Sequence, residues 1–359
     1  MTQAAPFTTA DVHGLREALE EAVADGGCPG GVVVCGTAAG DRTALSAGVV
    51  SPFTNPKAPD EHTVYDLASL TKVTATWPLV GRAVAAGLLD TGAPVREFLP
   101  PMDEDLGHLP GAGATVRQLL SHTSGLRAAT RFDLYDLAER PLHELICREP
   151  LENLPGTHRY INRGYVLLGL ALAHVHGEPL DRLAAAFWAE LGMDRTAYGP
   201  VPQAAWVAPT EHRDGHDRLW GAVHDENAAA MGDVAGHAGV FAPAADLATF
   251  AERLLSAGAR SPLGGWLRES LVPVADMDPG LQRGLGWILA AGGAVAYHHG
   301  FTGTSLFLAP ATGRYVVIAT NAVHDGPAAR TRIAPLRERA LKTLAGSGQA
   351  DGGRADGGR

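Results

Sequence analysis

The chain has 359 residues, of which 46% are hydrophobic and 19% charged, enough for one large core or two smaller ones. Its net charge of −10 argues against a nucleic-acid surface, because phosphate recognition needs clustered cations. No apolar run reaches the roughly 18 residues of a membrane span, and no signal-peptide segment follows Met1. We therefore expect a cytoplasmic protein without a membrane span. Its three cysteines lack the spacing of a disulfide framework.

The N-terminal part of the chain predicts a helix followed by a strand hairpin. Residues 9–25 have an amphipathic pattern that ends at two glycines. A short β-branched run, 31–37, and a second strand candidate, 44–50, flank a turn-rich segment, which predicts a hairpin. A second helix is expected to begin at Ser69 and to be kinked or broken at Pro78.

From residue 90 to residue 230 the strand signals are weak and the chain reads as mostly helical. Helical patterns cover residues 116–121, 141–148, 162–176 and 179–191. We interpret residues 90–230 as a helical insert.

The C-terminal part predicts a strand meander between two helices. Glycine-rich or proline-containing turns separate four apolar runs, at 284–290, 294–298, 304–309 and 314–320. Helices are expected at 243–257 and 328–344, and the glycine-rich tail 346–359 is expected to be disordered.

These elements predict an α/β fold of the α+β kind. One antiparallel sheet is built from both chain ends, 1–89 and 231–345, with flanking helices. The helical insert 90–230 leaves a cleft against that sheet, which is the expected place for a site.

Ser69 and Lys72 are three residues apart, so a helix beginning at Ser69 places both side chains on one face. A buried amine can take the proton of a neighbouring hydroxyl when desolvation lowers the amine's pKa. The pair therefore predicts a nucleophile and its base. The alternative is that Ser69 merely caps the helix.

Tyr160 and Asn162 form a second uncommon pair. A tyrosine near a lysine ammonium can act as general base and later as general acid. An asparagine can hold both a lysine and a substrate carbonyl. The alternative is a half-buried tyrosine beside a helix-capping asparagine.

A third cluster, His298, His299 and Gly300, ends a predicted strand, where a backbone N–H can complete an oxyanion site. The many histidines raise the question of a metal, but His212 and His216 lie in a polar loop without zinc-type spacing. We predict no metal and no cofactor. His122, inside a run of turn-forming residues, is expected to be a hydrogen-bonded structural residue.

Together these motifs resemble the serine β-lactamase and penicillin-binding-protein-like superfamily, especially its class-C-like esterase and D-alanyl carboxypeptidase branch. The resemblance covers residues 25–345. It is carried by Ser69-Leu70-Thr71-Lys72, Tyr160-Ile161-Asn162 and His298-His299-Gly300, and by LLSHTSGL at 119–126, VHDENA at 223–228 and VAGHAG at 234–239.

The resemblance implies a β-lactamase/transpeptidase-like fold in which Ser69 is acylated. Lys72 and Tyr160 would then share the acid and base work, while Asn162 would orient Lys72 and the substrate carbonyl. The oxyanion hole would be formed by the backbone N–H groups of Ser69 and Phe301.

One departure from the family pattern bears on the substrate. β-Lactamases carry lysine where this chain has His298, and histidine is largely neutral at pH 7. Arg283 is the candidate to bind a carboxylate instead, because a guanidinium fork suits that group. We therefore expect an esterase or a D-amino-acid amidase or carboxypeptidase acting on a small ester, amide or peptide. The alternatives are a class-C-like β-lactamase and a catalytically silent ligand-binding relative.

Overall fold

The computed structural model describes residues 6–102, 109–128, 131–135, 140–213 and 218–346. In this part of the chain the α-helices are α1 Thr9–Ala24, α2 Trp77–Ala85, α3 Val116–Leu120, α4 Leu142–Arg148, α5 Asn162–His176, α6 Leu180–Leu191, α7 Glu226–Ala230, α8 Ala244–Ser256, α9 Pro262–Ser270 and α10 Ala334–Ala345. The strands are β1 Gly30–Thr37, β2 Arg42–Gly48, β3 Val64–Asp66, β4 Ala197–Tyr198, β5 Val240–Pro243, β6 Ala275–Asp276, β7 Gln282–Arg283, β8 Ile288–Ala290, β9 Val295–His299, β10 Ser305–Ala309 and β11 Arg314–Thr320.

The main sheet has eight strands in the order β2-β1-β11-β10-β9-β8-β7-β6. Every neighbouring pair is antiparallel, and β1 pairs with the last strand, β11, with Gly31 opposite Thr320. The predicted antiparallel sheet built from both chain ends is confirmed. The short strands β6 and β7 extend it beyond the predicted meander.

Both faces of this sheet are covered, which explains why all eight residues of β1 are buried. Because side chains alternate along a strand, Val32 and Val34 join one core cluster, with residues of α8. Val33 and Cys35 join another, with residues of α1 and α10. The arrangement is therefore a sheet between two helical layers.

Helix α1 begins where its sequence provides a capping box. The Thr8 side chain accepts a hydrogen bond from the Asp11 N–H at 3.1 Å, and the Asp11 carboxylate accepts one from the Thr8 N–H at 3.0 Å. Asp11 also pairs with Arg314 on β11, at 2.9 Å, which ties the helix to the sheet.

The segment after Ser69 differs from the predicted interrupted helix. A tight 3₁₀ turn spans Ala68–Leu70, a π-helical turn spans Lys72–Thr76, and α2 then runs on with Pro78 in its first turn. Proline is tolerated in a first helical turn. Pro78 has no N–H that could donate to the Thr74 carbonyl four residues earlier. That carbonyl accepts a hydrogen bond from the Trp188 indole N–H instead, at 2.9 Å. The helical path is therefore not broken.

A second, three-stranded sheet in the order β3-β5-β4 lies next to the catalytic candidates. Strand β3 leads directly into the Ser69 segment, and its neighbour β5 follows the VAGHAG segment. This sheet holds two motif segments, far apart in sequence, side by side.

Helix α9 was not predicted, although Ser261 caps it by accepting from the Gly264 N–H at 3.1 Å. Its two internal glycines lower the helix propensity of the segment, so its sequence does not indicate a helix clearly. The domain division at 89/90 and 230/231 stays a prediction. Apart from Gly346, the predicted tail 346–359 lies outside the described residues.

Candidate active site

Ser69 sits in a tight turn that its neighbours hold by hydrogen bonds. Ala68 has a left-handed φ of 44°, which a non-glycine residue rarely adopts. The buried Asp66 carboxylate supports it by accepting from the Ala68 N–H at 2.7 Å and from the His224 N–H at 2.8 Å. The Leu67 N–H donates to the Val240 carbonyl at 2.8 Å. The turn therefore exposes Ser69 in part while the residues on either side are buried.

Lys72 contacts Ser69 as the spacing predicted. Its Nζ lies 2.9 Å from the Ser69 Oγ and also donates to the His237 carbonyl at 3.2 Å. The lysine is fully buried, and burial lowers the pKa of its ammonium against the opposing influence of Tyr160. A less basic amine beside a hydroxyl is suited to exchange a proton with it. In the described part of the chain the Ser69 side chain caps no helix, so the alternative of a capping serine is wrong.

Tyr160 closes one side of the Ser69–Lys72 pair. Its ring centroid lies 4.9 Å from Lys72 Nζ, and the residue is 40% exposed. Asn162 is the first residue of α5, and its Oδ1 is buried with no hydrogen-bond partner among the described residues. The structure therefore brings Tyr160 to the pair, whereas Asn162 offers an unused acceptor rather than a bond to Lys72.

The inner wall of the site carries three imidazoles. The His122 ring lies 4.5 Å from the Tyr160 ring and 6.4 Å from that of His158, and the His298 ring lies 6.3 Å from Tyr160. Burial, and then the nearby Arg283, lower the pKa of His158 to about 4. The same causes hold the pKa values of His122 and His298 well below the usual value. All three rings are therefore neutral at pH 7.

His122 is hydrogen-bonded to the backbone, as predicted. Its Nδ1 lies 3.0 Å from the Ile161 carbonyl and 3.1 Å from the Ile161 nitrogen, which donates to it. The backbone of His122 has a left-handed φ of 57°. The imidazole thus fixes the segment between Tyr160 and Asn162.

His298 and His299 point to opposite faces of β9. The side chain of His299 lies 2.9 Å from Ser305 Oγ, and its ring packs 4.8 Å from Tyr297 and 5.4 Å from Phe307, on the α10 side of the sheet. The structure therefore does not bring the His299 side chain to Ser69, because neighbouring residues of a strand alternate. Only His298 of the two faces the site.

Gly300 brings the strand end against the Ser69 turn. A Cβ at this position would lie 2.3 Å from the Leu67 carbonyl, so only glycine fits. Thr302 and Thr304 donate to the Asp66 and Leu67 carbonyls at 2.6 and 3.1 Å. Phe301, between Gly300 and Thr302, is 40% exposed.

Arg283 lies fully buried on β7 beside the tyrosines of the site. Its Nη2 donates to the Gly286 carbonyl at 3.4 Å, while Nε and Nη1 are buried with no hydrogen-bond partner among the described residues. Burial lowers the pKa of the guanidinium, against the influence of Tyr165 and Tyr160. A buried cation with unused donors is a feature that an anionic group would satisfy.

Several residues of the site were not predicted from the sequence. They are Asp66, which holds the Ser69 turn, His158 and Tyr165 on the inner wall, and the pair Asp225 and His237 behind Lys72. For the last two the only sequence signal was the VHDENA and VAGHAG motifs. Asp225 also caps α7 by accepting from the Ala228 N–H at 2.9 Å.

Within the described ranges no group of three or more His, Cys, Asp or Glu residues is arranged to hold a metal ion. His216, of the two loop histidines considered for a metal, lies outside those ranges. None of the described helices combines the length and apolarity needed to cross a bilayer.

Three comparisons place this geometry among known proteins. The family model Beta-lactamase matches residues 15–340. An Escherichia coli (strain K12) protein named "Putative D-alanyl-D-alanine carboxypeptidase" is 30% identical over 305 residues, covering 73% of this chain and 70% of that protein.

Solved structures show the same fold. The Beta-Lactamase/D-Alanine Carboxypeptidase from Pseudomonas syringae has a TM-score of 0.75 at 19% identity, covering 93% of this chain and 99% of that one. EstCE1, a hydrolase with promiscuous acyltransferase activity, has a TM-score of 0.69 at 20% identity, covering 93% of this chain and 100% of that one. The predicted β-lactamase/transpeptidase-like fold is confirmed, and the chain belongs to the Beta-lactamase family.

Proposed function

We propose that this serine hydrolase forms a covalent acyl-enzyme on Ser69 from a small ester or from a D-amino-acid amide or peptide. The observation that carries the proposal is the contact between the part-exposed Ser69 Oγ and the fully buried Lys72 Nζ, at 2.9 Å. Desolvation makes this amine a better proton acceptor near neutral pH than an exposed lysine would be.

In the proposed reaction Lys72 and Tyr160 share one exchangeable proton, since two coupled groups titrate as a pair. The pair removes the Ser69 proton during attack and returns it to the leaving group. Backbone N–H groups of Ser69 and Phe301 stabilise the oxyanion. The Asn162 Oδ1, which no other described residue contacts by a hydrogen bond, supports a role for this amide in contacting the substrate.

A class-C-like β-lactamase is the second candidate, favoured by the family alone. His298 counts against it, because its imidazole is held neutral and supplies no permanent cation for a penicillin carboxylate. The intact contact between Ser69 and Lys72 counts against a catalytically silent ligand-binding relative.

The function is tested with three acyl donors: a p-nitrophenyl ester, a chromogenic cephalosporin and a peptide ending in D-Ala-D-Ala. We expect turnover of the ester or the peptide, and a transient mass increase located on Ser69. A fluorophosphonate should label the same residue. Failure of all three donors and of the fluorophosphonate to modify the protein would overturn the proposal.

We further propose that Arg283 binds the carboxylate of a peptide substrate, which supports the D-peptidase form of the function. Its buried Nε and Nη1 have no hydrogen-bond partner in the part of the chain that the structure describes, and it lies near Tyr160, next to the reacting groups. A planar guanidinium fork matches a carboxylate better than an ammonium does.

Arg283→Gln should therefore raise KM for a D-Ala-D-Ala peptide about 10–100-fold, the scale of a lost charge-assisted contact. Turnover of a neutral p-nitrophenyl ester should change far less, and Arg283→Lys should recover part of the peptide affinity. A wild-type protein that treats the amidated peptide like the free acid, or a variant that loses ester and peptide turnover equally, would contradict this role.

A further inference from the structure

The two motifs that the catalytic proposal leaves unused, VHDENA and VAGHAG, meet directly behind Lys72. The His237 Nε2 lies 2.9 Å from the Asp225 Oδ1. The His237 side chain is completely buried and that of Asp225 is 23% exposed. The pair is therefore a largely desolvated contact between residues 12 positions apart.

This pair is connected to Lys72 through the backbone of His237. The His237 carbonyl accepts from Lys72 Nζ at 3.2 Å. The carbonyl of the preceding residue, Gly236, accepts a hydrogen bond from Thr76 Oγ1 at 2.6 Å. A Cβ at Gly236 would lie 2.1 Å from the Tyr165 carbonyl, so the loop is packed closely against α5. The imidazole contact thus helps to fix a carbonyl that orients the amine.

Charge near Lys72 is unevenly distributed. The titratable groups that face it are Tyr160 before α5, Tyr165 on α5, His122 after α3, Arg283 on β7, His298 on β9 and Asp225 before α7. Arg283 repels the ammonium, and the imidazoles of His122 and His298 are neutral. Asp66 faces Asp225 from β3, but its two oxygens accept backbone N–H groups. In the described part of the chain, Asp225 is therefore the carboxylate that we assign to Lys72.

Asp225 is ionised in this position. Burial alone would raise the pKa of the Asp225 carboxyl. The opposite effect comes from His237, the Ala228 N–H and Lys72, and it holds this pKa far below its usual range. The carboxylate also raises the pKa of Lys72 against desolvation. Capping of α7 explains one hydrogen bond of Asp225 but not its contact with a buried imidazole.

We propose that Asp225 and His237 form a positioning pair for Lys72. The carboxylate supplies the negative charge that allows a fully buried amine to carry a proton, and the imidazole fixes the carbonyl that directs Nζ at Ser69. Among the described residues, neither side chain is hydrogen-bonded to Ser69 or Lys72; His237 contacts Lys72 through its backbone carbonyl. The inference rests on the proposed acylation of Ser69.

The sign of the effect follows from the shared proton. The active pair of Lys72 and Tyr160 carries one proton, so activity falls at low pH on gaining a second and at high pH on losing the first. Removing the Asp225 charge lowers the affinity of the pair for both protons. Both limbs of the pH profile should then move to lower pH.

Asp225→Asn is the decisive variant, because asparagine keeps an acceptor for the Ala228 N–H and for His237. We expect both limbs of kcat/KM, or of the rate of fluorophosphonate labelling, to move down by about one pH unit. Asp225→Glu, which restores the charge, should return the limbs toward their wild-type positions. Asp225→Ser, whose hydroxyl can still cap α7, takes its place if Asp225→Asn does not fold.

The matched control is Glu226→Gln, which removes one negative charge from the next residue, whose side chain is 71% exposed. Its profile should coincide with that of the wild type. Limbs that stay in place in Asp225→Asn, or that move equally in Glu226→Gln, would overturn the inference. A wild-type protein that no fluorophosphonate labels at any pH would instead overturn the acylation of Ser69, so the two failures are distinguishable.

Discussion

Replacing Ser69 with alanine is expected to lower turnover of the best acyl donor by about 10⁴-fold or more and to abolish the covalent adduct. A nucleophile that works as a unit with its base leaves little activity when it is removed. The measurements are the rate of p-nitrophenyl ester hydrolysis and the intact mass after incubation with a fluorophosphonate. An undiminished rate or an adduct of the same mass on the variant would contradict the nucleophile role.

Ser261 provides a matched control, because it is a serine whose side chain does cap a helix, α9. Ser261→Ala should lower the free energy of unfolding by about 1 kcal/mol, the usual effect of a lost N-cap, and should leave the adduct intact. Ser69→Ala should show the opposite pattern. Its stability should change little, since the hydrogen bond recorded for the Ser69 hydroxyl in the described residues is the one with Lys72.

Replacing Lys72 with methionine is expected to lower the acylation rate by about 10²–10⁴-fold, the scale of lost acid–base catalysis. Methionine fills a similar volume without a charge, so the fully buried site no longer has to accommodate an ammonium. Loss of the ammonium removes its desolvation cost, but it also removes a charge that stabilises the largely buried Asp225 carboxylate, and these two effects oppose each other. The variant should therefore unfold close to the wild-type temperature while it loses activity.

Lys57→Met is the corresponding control, since Lys57 is an exposed lysine in the loop before β3. We expect wild-type labelling kinetics from it. Lys72→Met should be compared with wild type by fluorophosphonate labelling and by thermal unfolding. A Lys72→Met protein that labels at the wild-type rate would refute its role as base, and one that unfolds far below wild type would show that the amine is structural.

The contact between Ser69 and Lys72 was predictable even though the local helix type was not. Side chains three positions apart lie close together in an α-helix and also in a 3₁₀ turn. The prediction that Ser69 and Lys72 lie on one face is therefore correct, although the structure has 3₁₀ and π-helical turns here and not a regular helix. The indole that donates to the Thr74 carbonyl belongs to Trp188, 114 positions away, and no local pattern could indicate that contact.

Elsewhere the sequence carried a usable signal that was missed. Two adjacent histidines at the end of a strand cannot both face the same site, so the alternation of β9 already separates His298 from His299. Other features depend on distant partners. Asp66 is joined to His224 across 158 positions, and Lys72 to the His237 carbonyl across 165. Charge and hydrogen-bond partners of this kind are fixed by the tertiary fold and not by spacing.

The pairing of β1 with β11 also governs when the molecule can fold. During synthesis the hairpin of β1 and β2 emerges first, yet the strand that covers the free edge of β1 ends at Thr320. Contacts of such sequence separation give a high contact order and slow folding. Until β11 arrives, the nascent chain presents the unpaired backbone of an apolar strand, which is a template for aggregation. We therefore expect a chaperone to matter most while the chain is still bound to the ribosome, when the edge of β1 is unpaired.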